Sequence, residues 1–162
     1  MDYGIYNQME DGSFRQQAGE TEQAYMERVI RAVVEARRNK EIESFNDMFA
    51  PEFCGCSAED GSLRLRYRPQ SWQKNPNGVL HGGIITATID MTLGMLTRYY
   101  VRSSKSLTVQ LNVSFMREIP LEHSYYVLAK ADKTGRRVKF LSAEITDELT
   151  GKIAAKATSM FM

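Results

Sequence analysis

Hydrophobic positions divide the chain near residue 50. Ahead of that point Tyr25, Met26, Val29, Ile30 and Val33 recur at helical spacing behind Thr21, a residue suited to cap a helix. The pattern predicts an amphipathic helix with Arg28, Arg31, Glu35, Arg37 and Arg38 turned mainly to solvent. A second short helix is expected over 42–49, with Ile42, Phe45, Met48 and Phe49 inward and Pro51 ending it. Residues 1–20 are polar and Gln-rich and read as a loose arm.

From Glu52 the period changes to two. Segments 53–57 and 63–68 predict a hairpin around Glu59-Asp60-Gly61, with Leu63, Leu65 and Tyr67 on one face and Arg64, Arg66 and Arg68 on the other. A loop through Pro69, Trp72, Asn75 and Gly78 leads to one strongly apolar helix over 83–99. Its Ile84, Ile85, Ile89, Leu93 and Leu96 leave little polar face, so it must be enclosed by other elements. The alternation of Leu107, Val109, Leu111, Val113 and Phe115 with Thr108, Gln110, Asn112 and Ser114 supplies a strand for that purpose. Further strands are expected over 124–131, 137–146 and 152–161, joined by turns at Thr134-Gly135 and Thr150-Gly151. One buried helix wrapped by an antiparallel sheet is an α+β architecture, here with an N-terminal arm and helical extension over 1–50 and the main domain over 51–162.

Composition narrows the function classes. The 162 residues, 43% hydrophobic and 25% charged, suit one ordinary globular domain. A net charge of +1 gives no global field toward nucleic acid or an acidic membrane, so an anionic ligand needs a local basic cluster. No secretory signal is visible, and the longest apolar stretch, 78–97, carries His81 and Asp90 and is unsuited to spanning a membrane. Cys54 and Cys56, two apart on one expected strand face, suit neither a disulfide nor a complete metal site. They read as reduced thiols in a cytoplasmic protein, with no metal and no cofactor expected.

The chemically unusual segment is Asn75-Pro-Asn-Gly-Val-Leu-His81-Gly82-Gly83, with Asp90 nine residues after His81. Gly82 and Gly83 at a helix start permit close approach of a ligand to backbone N–H groups that lack an internal acceptor. The helix dipole favours negative charge there, which suits a polarised thioester carbonyl or the oxyanion formed from it. Asp90 stands in the middle of the apolar helix, where a carboxylate is costly unless hydrogen-bonded or used. Seven residues separate Gly83 from Asp90 by about 10 Å along the axis, whereas attack on a carbonyl needs approach to about 3–3.5 Å. One helix can hardly serve both ends of the reaction. An antiparallel partner helix, its Asp90 meeting the first subunit's Gly82 and Gly83, resolves the distance and predicts a two-fold interface with two identical sites.

The segment from Asn75 through Asp90, continuing into Leu107-Thr-Val-Gln-Leu-Asn-Val-Ser-Phe-Met116, resembles the hotdog-fold acyl-CoA thioesterases of the phenylacetate-pathway and 4-hydroxybenzoyl-CoA type, and the similarity covers about residues 52–162. The resemblance implies that Gly82 N–H polarises the thioester carbonyl, with Asn75 helping to position that carbonyl or the water. It implies that Asp90 of the facing subunit acts as general base or nucleophile, that Thr108 orients Asp90 or the water, and that His81 braces the loop. The chemistry of these groups fits either water attack or an acyl-anhydride route.

Coenzyme A, as part of the substrate, needs cations for its phosphates. Lys133, Arg136, Arg137 and Lys139 around the Thr134-Gly135 turn are the first candidates, and the Arg64/Arg66/Arg68 face the second. Met91, Met95, Tyr99, Tyr100, Phe115 and Met116 are available to line an acyl pocket. The expected assembly is a homodimer or a dimer of dimers, without nucleic-acid or membrane partners. A Ser-His-Asp hydrolase is disfavoured because no Gly-x-Ser-x-Gly turn occurs. Two alternatives remain: a hotdog dehydratase acting on an acyl thioester, whose His-Phe-Pro-Gly type signature is missing here, and a silent acyl-CoA-binding sensor, which would gain little from Asp90.

Overall fold

The computed structural model describes residues 14–38, 42, 44–103 and 105–162. Helix α1 (Glu22–Arg38) and a 3-10 turn at Phe45–Met48 precede strands β1 (Glu52–Ser57) and β2 (Ser62–Tyr67). After a second 3-10 turn at Ser71–Gln73 come helix α2 (Gly82–Val101) and strands β3 (Thr108–Phe115), β4 (Tyr125–Thr134), β5 (Lys139–Asp147) and β6 (Ile153–Phe161). The strands form one antiparallel sheet in the order β1-β2-β4-β5-β6-β3. Strand β3, the first after the helix, therefore lies at the far edge, paired with the last strand. The sheet curls around α2, giving a hotdog fold with an N-terminal helical extension.

Ile85, Ile89, Leu93 and Leu96 of α2 are buried among Leu63, Leu65, Val127, Leu141, Ile145 and Phe161 of the sheet. Full burial of side chains this size contributes about 1.5–3 kcal/mol each, which offsets the cost of enclosing a helix on nearly all sides. The threonines of α2 fit the same environment because their hydroxyls donate to carbonyls of the preceding turn: Thr88 to Ile85 (3.0 Å), Thr92 to Thr88 (2.7 Å) and Thr97 to Leu93 (2.9 Å). Tyr67 and Tyr125 stack on each other and bring their hydroxyls to Thr92 and Thr88, satisfying a buried polar seam on one side of the helix.

Helix α1 starts where Thr21 predicts it, with the Ala24 N–H donating to Thr21 Oγ1 at 3.2 Å. Tyr25, Met26, Val29, Ile30 and Val33 are all buried, as their spacing requires. The helix lies along β1 and shields that edge of the sheet. The Gln23 amide donates to the Cys56 carbonyl (2.9 Å) and accepts from the Ala58 N–H (2.8 Å), replacing the strand partner that an edge lacks. At the opposite edge, Leu107, Val109, Phe115 and Met116 on or beside β3 are large apolar side chains at least half exposed.

Three expectations need correction. Residues 14–20 are not a loose arm, since Phe14 is fully buried and its carbonyl accepts from the Tyr25 hydroxyl at 2.7 Å; residues 1–13 and the Arg37 and Arg38 side chains lie outside the described residues. The expected helix over 42–49 is reduced to the Phe45–Met48 turn, with Ile42 and Phe45 exposed and only Phe49 fully inward. Four residues cannot bury a whole apolar stripe, and Phe45 instead packs edge-on against Phe49. Finally, a bulge between Phe53 and Gly55 inserts Cys54 into β1 as an extra residue. Phe53 and Cys56 then pack on the core while Cys54 is exposed, so the cysteines do not share a face and both are free.

Candidate active site

The loop entering α2 is built by its own side chains. Asn75 Oδ1 accepts from the N–H groups of Asn77 (2.9 Å) and Val79 (3.3 Å), and the Gly78 N–H donates to the Asn75 carbonyl (3.0 Å). Gly78 holds φ +83° in that turn, a conformation open to glycine and strained for most other residues. The Asn75 carbonyl oxygen is thus committed to the turn, and its amide N–H groups are what it can offer a ligand.

His81 is the N-cap residue of α2, and its Nδ1 accepts from the Gly83 N–H at 2.8 Å. That geometry assigns an unprotonated Nδ1, with the proton of the neutral ring on Nε2. It also distinguishes the two glycines by their hydrogen bonds. Gly83 N–H is occupied by His81, whereas Gly82 N–H, at the first helical position, has no acceptor among the described residues. A Cβ on Gly83 would stand 3.0 Å from His81 Nδ1, and one on Gly82 would stand 3.4 Å from the Phe115 ring. Glycine keeps the cap intact and leaves the helix end narrow, with an aromatic wall beside the free donor.

Asp90 projects from the third turn of α2 on the side away from the Thr88 and Thr92 seam, since two residues advance a helix by about 200°. There Thr108 Oγ1, at the start of β3, donates to Asp90 Oδ1 at 2.7 Å. The bond holds one carboxylate oxygen, and the other has no hydrogen-bond partner among the described residues. Gly82 and Asp90 are eight residues apart on a single straight helix, about 12 Å, so within one protomer the donor and the carboxylate do not meet.

The Thr134-Gly135 turn lies at the Thr108 end of the sheet, because Thr108 pairs with Phe161 and Phe161 with Lys139. Lys133, Arg136 and Arg137 are exposed there. Lys139 differs from the expectation. It is buried, and its ammonium donates to the Arg136 carbonyl at 3.3 Å, where it braces the turn. The second cluster is consumed by structure: Arg66 pairs with Glu148 (2.6 Å) and Glu52 (3.1 Å), Arg68 with Glu52 (3.0 Å), and Arg64 lies over the Tyr126 ring. Of the acyl-pocket candidates, Met91, Met95 and Tyr99 are core, while Phe115 and Met116 are open to solvent at the β3 edge.

Two features had no sequence signal. Phe115 packs against the Gly82 end of α2, a contact set by the position of β3 at the sheet edge. His123 Nδ1 lies 2.7 Å from Asp147 Oδ2, a pair 24 residues apart that no spacing rule connects.

Comparison with known proteins agrees with this architecture. A family model described as thioesterase superfamily matches residues 77–154. Human acyl-coenzyme A thioesterase 13 is 26% identical over 100 residues, 62% of this chain and 71% of that protein. A phenylacetic acid degradation-related protein of Ralstonia eutropha superposes with TM-score 0.70 at 24% identity, covering 83% of this chain and 98% of its own. A Streptococcus mutans protein solved bound to acetyl CoA superposes with TM-score 0.60 at 20% identity, covering 76% and 90%.

Proposed function

We infer that this chain, a member of the thioesterase superfamily through its 77–154 segment, hydrolyses an acyl-CoA thioester to the free acid and CoA at sites shared between two copies of itself. The observation that carries the shared site is the layout of β3. Thr108, bonded to Asp90, stands at one end of that edge strand, whose outer side has no strand partner among the described residues, and Phe115, packed on Gly82, at the other. The strand is about 23 Å long. Two copies pairing β3 antiparallel around its centre bring each Asp90 beside the other copy's Gly82, and cover Leu107, Val109, Phe115 and Met116.

In the assembled site Gly82 N–H donates to the thioester carbonyl and stabilises the oxyanion as the tetrahedral intermediate forms. A single donor of this kind is worth about 2.7–4 kcal/mol in related chemistry, more where an apolar wall such as Phe115 keeps water away. The Asn75 amide N–H groups reach toward the same carbonyl or the attacking water. Asp90, oriented by Thr108, takes the proton of that water, which is returned to the departing CoA sulfur as the C–S bond breaks. In the equivalent covalent route the carboxylate attacks first, CoA leaves, and water cleaves the anhydride. His81 acts through the cap it provides rather than as a base. The CoA phosphates are assigned to Lys133, Arg136 and Arg137, three exposed cations at the Asp90 end of the sheet. Free cysteines suit a cytoplasmic setting.

The test is thiol release from short, long and aromatic acyl-CoAs by wild type and Asp90→Asn. Release by wild type that falls by several orders of magnitude in the variant supports the reading. Near-normal turnover by the variant removes Asp90 from the chemistry, and tight binding without any release would make the chain a sensor.

A further inference from the structure

The segment between β3 and β4, residues 116–124, is gripped at both ends and grips the active-site loop in its middle. At one end the N–H groups of Met116 (2.8 Å) and Arg117 (3.1 Å) donate to the Ala154 carbonyl, and Arg117 Nη1 donates to the Ile153 carbonyl at 2.7 Å. At the other end His123 meets Asp147, and the Glu148 N–H donates to the Ser124 carbonyl at 2.9 Å. Between them, the Ile119 carbonyl accepts from the Leu80 N–H at 2.9 Å and Pro120 bridges to Val79. Leu80 immediately precedes His81 and stands two residues before Gly82.

Asp147 is the fixed point of this arrangement. It is nearly inaccessible, and its Oδ1 accepts from the Thr150 N–H (2.7 Å) and hydroxyl (3.0 Å), which leaves Oδ2 for His123. Burial alone would raise the Asp147 carboxyl above its ordinary range, but the hydrogen bonds from Thr150 and His123 outweigh it and hold it below. The His123 N–H also donates to the Pro120 carbonyl at 3.0 Å, so the imidazole anchor and the loop contact belong to one short turn.

We propose that His123, held by Asp147, is a positioning residue that sets the place of the Gly82 N–H donor through Pro120, Ile119 and Leu80. The proposal rests on the thioesterase reading for its kinetic consequence and not for its structural one. An oxyanion donor must stand within a few tenths of an ångström of its target, and small displacements of a positioned group are expensive in rate. The Asp147–His123 bond therefore acts on turnover without touching substrate.

The experiment compares His123→Ala, His123→Asn and Thr150→Val in the full chain. Expected for His123→Ala are a fall in kcat of about tenfold, with the Michaelis constant changed less than about twofold, and faster hydrogen exchange at the Leu80 amide. His123→Asn, whose side-chain amide can donate to Asp147, should restore both. Thr150→Val removes only the hydroxyl bond to Asp147 Oδ1, leaving the backbone N–H bond and the His123 bond in place, and should lower stability with a loss of kcat clearly smaller than that of His123→Ala. Unchanged kcat in His123→Ala overturns the proposal, as does a loss of kcat in Thr150→Val equal to that in His123→Ala. If wild type hydrolyses no thioester, the functional reading fails. Leu80 exchange then decides the structural link alone: no acceleration in His123→Ala refutes it, and acceleration reversed in His123→Asn upholds it.

Discussion

Thr108 Oγ1 donates to Asp90 Oδ1 at 2.7 Å, linking the first residue of an edge strand to the middle of the central helix across 18 positions of chain. The bond explains how a carboxylate is kept in an apolar helix. One oxygen is satisfied by the hydroxyl, and the other has no hydrogen-bond partner among the described residues.

Thr108→Val keeps the shape of the side chain and removes that donor. Hydrogen bonds to a charged group contribute about 1.5–3 kcal/mol, so kcat should fall about 10- to 100-fold while the fold persists. Steady-state thiol release with a circular-dichroism control checks this, and unchanged kcat would show that Asp90 needs no orientation.

A site divided between copies should be restorable by mixing. Gly82→Pro removes the donor N–H at the first helical position, where proline is tolerated. Mixed with Asp90→Asn, it should give heterodimers in which one of the two sites has both intact groups. Activity should recover toward about half that of wild type per heterodimer. No recovery in heterodimers verified by mass would place donor and carboxylate in separate, unshared sites.

The Arg136 and Arg137 side chains make no ion pair or hydrogen bond among the described residues, in contrast to Lys139, which braces their turn. Replacing both by alanine should raise the Michaelis constant for acyl-CoA about tenfold or more, with little change for the same acyl group on a short thiol lacking the nucleotide. Equal effects on both substrates would remove the turn from CoA recognition.

Glu148 should shape the acid limb of stability. Hydrogen bonds from the Arg66 guanidinium and the Tyr126 hydroxyl bring its carboxyl from an ordinary value of 4.5 to about 2. A group depressed on folding contributes its stability in full above its unfolded value and loses it as pH falls toward the folded one. The Glu148 contribution is therefore complete above 4.5 and disappears on the way to about 2. Glu148→Gln should flatten the decline of the urea midpoint over that interval, and added salt should reduce the difference because the pair is partly exposed. Glu20, held at about 2 by Arg28, keeps part of the acid limb in the variant.

Much of this was legible in the chain because it is local. The period-two run Leu63, Leu65, Tyr67 goes inward as its alternation requires, and the lack of a polar face on 83–99 demands a wrapped helix. The helix start at His81-Gly82-Gly83 and the oddity of Asp90 are likewise properties of one segment. Even the distance between Gly83 and Asp90 follows from helical rise, which is why the expectation of a second copy needs no coordinates.

What the sequence left open depends on partners distant in the chain. Alternation cannot foresee the bulge that puts Cys54 and Cys56 on different faces, because one extra residue inverts everything beyond it. The apolar stripe over 42–49 promised burial, but the core is already filled by α1 and α2, and Ile42 and Phe45 remain outside. Lys139 looked like one more cation of the turn until the fold directed its ammonium to the Arg136 carbonyl. The sequence by itself determined most of the elements, the wrapped helix and the placing of Gly82 and Asp90 along it, since each is written in the spacing of near neighbours. Only the tertiary structure decided that β3 lies at the edge of the sheet with Asp90 and Gly82 at its two ends, that His81 occupies one glycine donor and, among the described residues, leaves the other, and that His123 meets Asp147. Those relations come from strand order and long-range packing, which local periodicity does not encode.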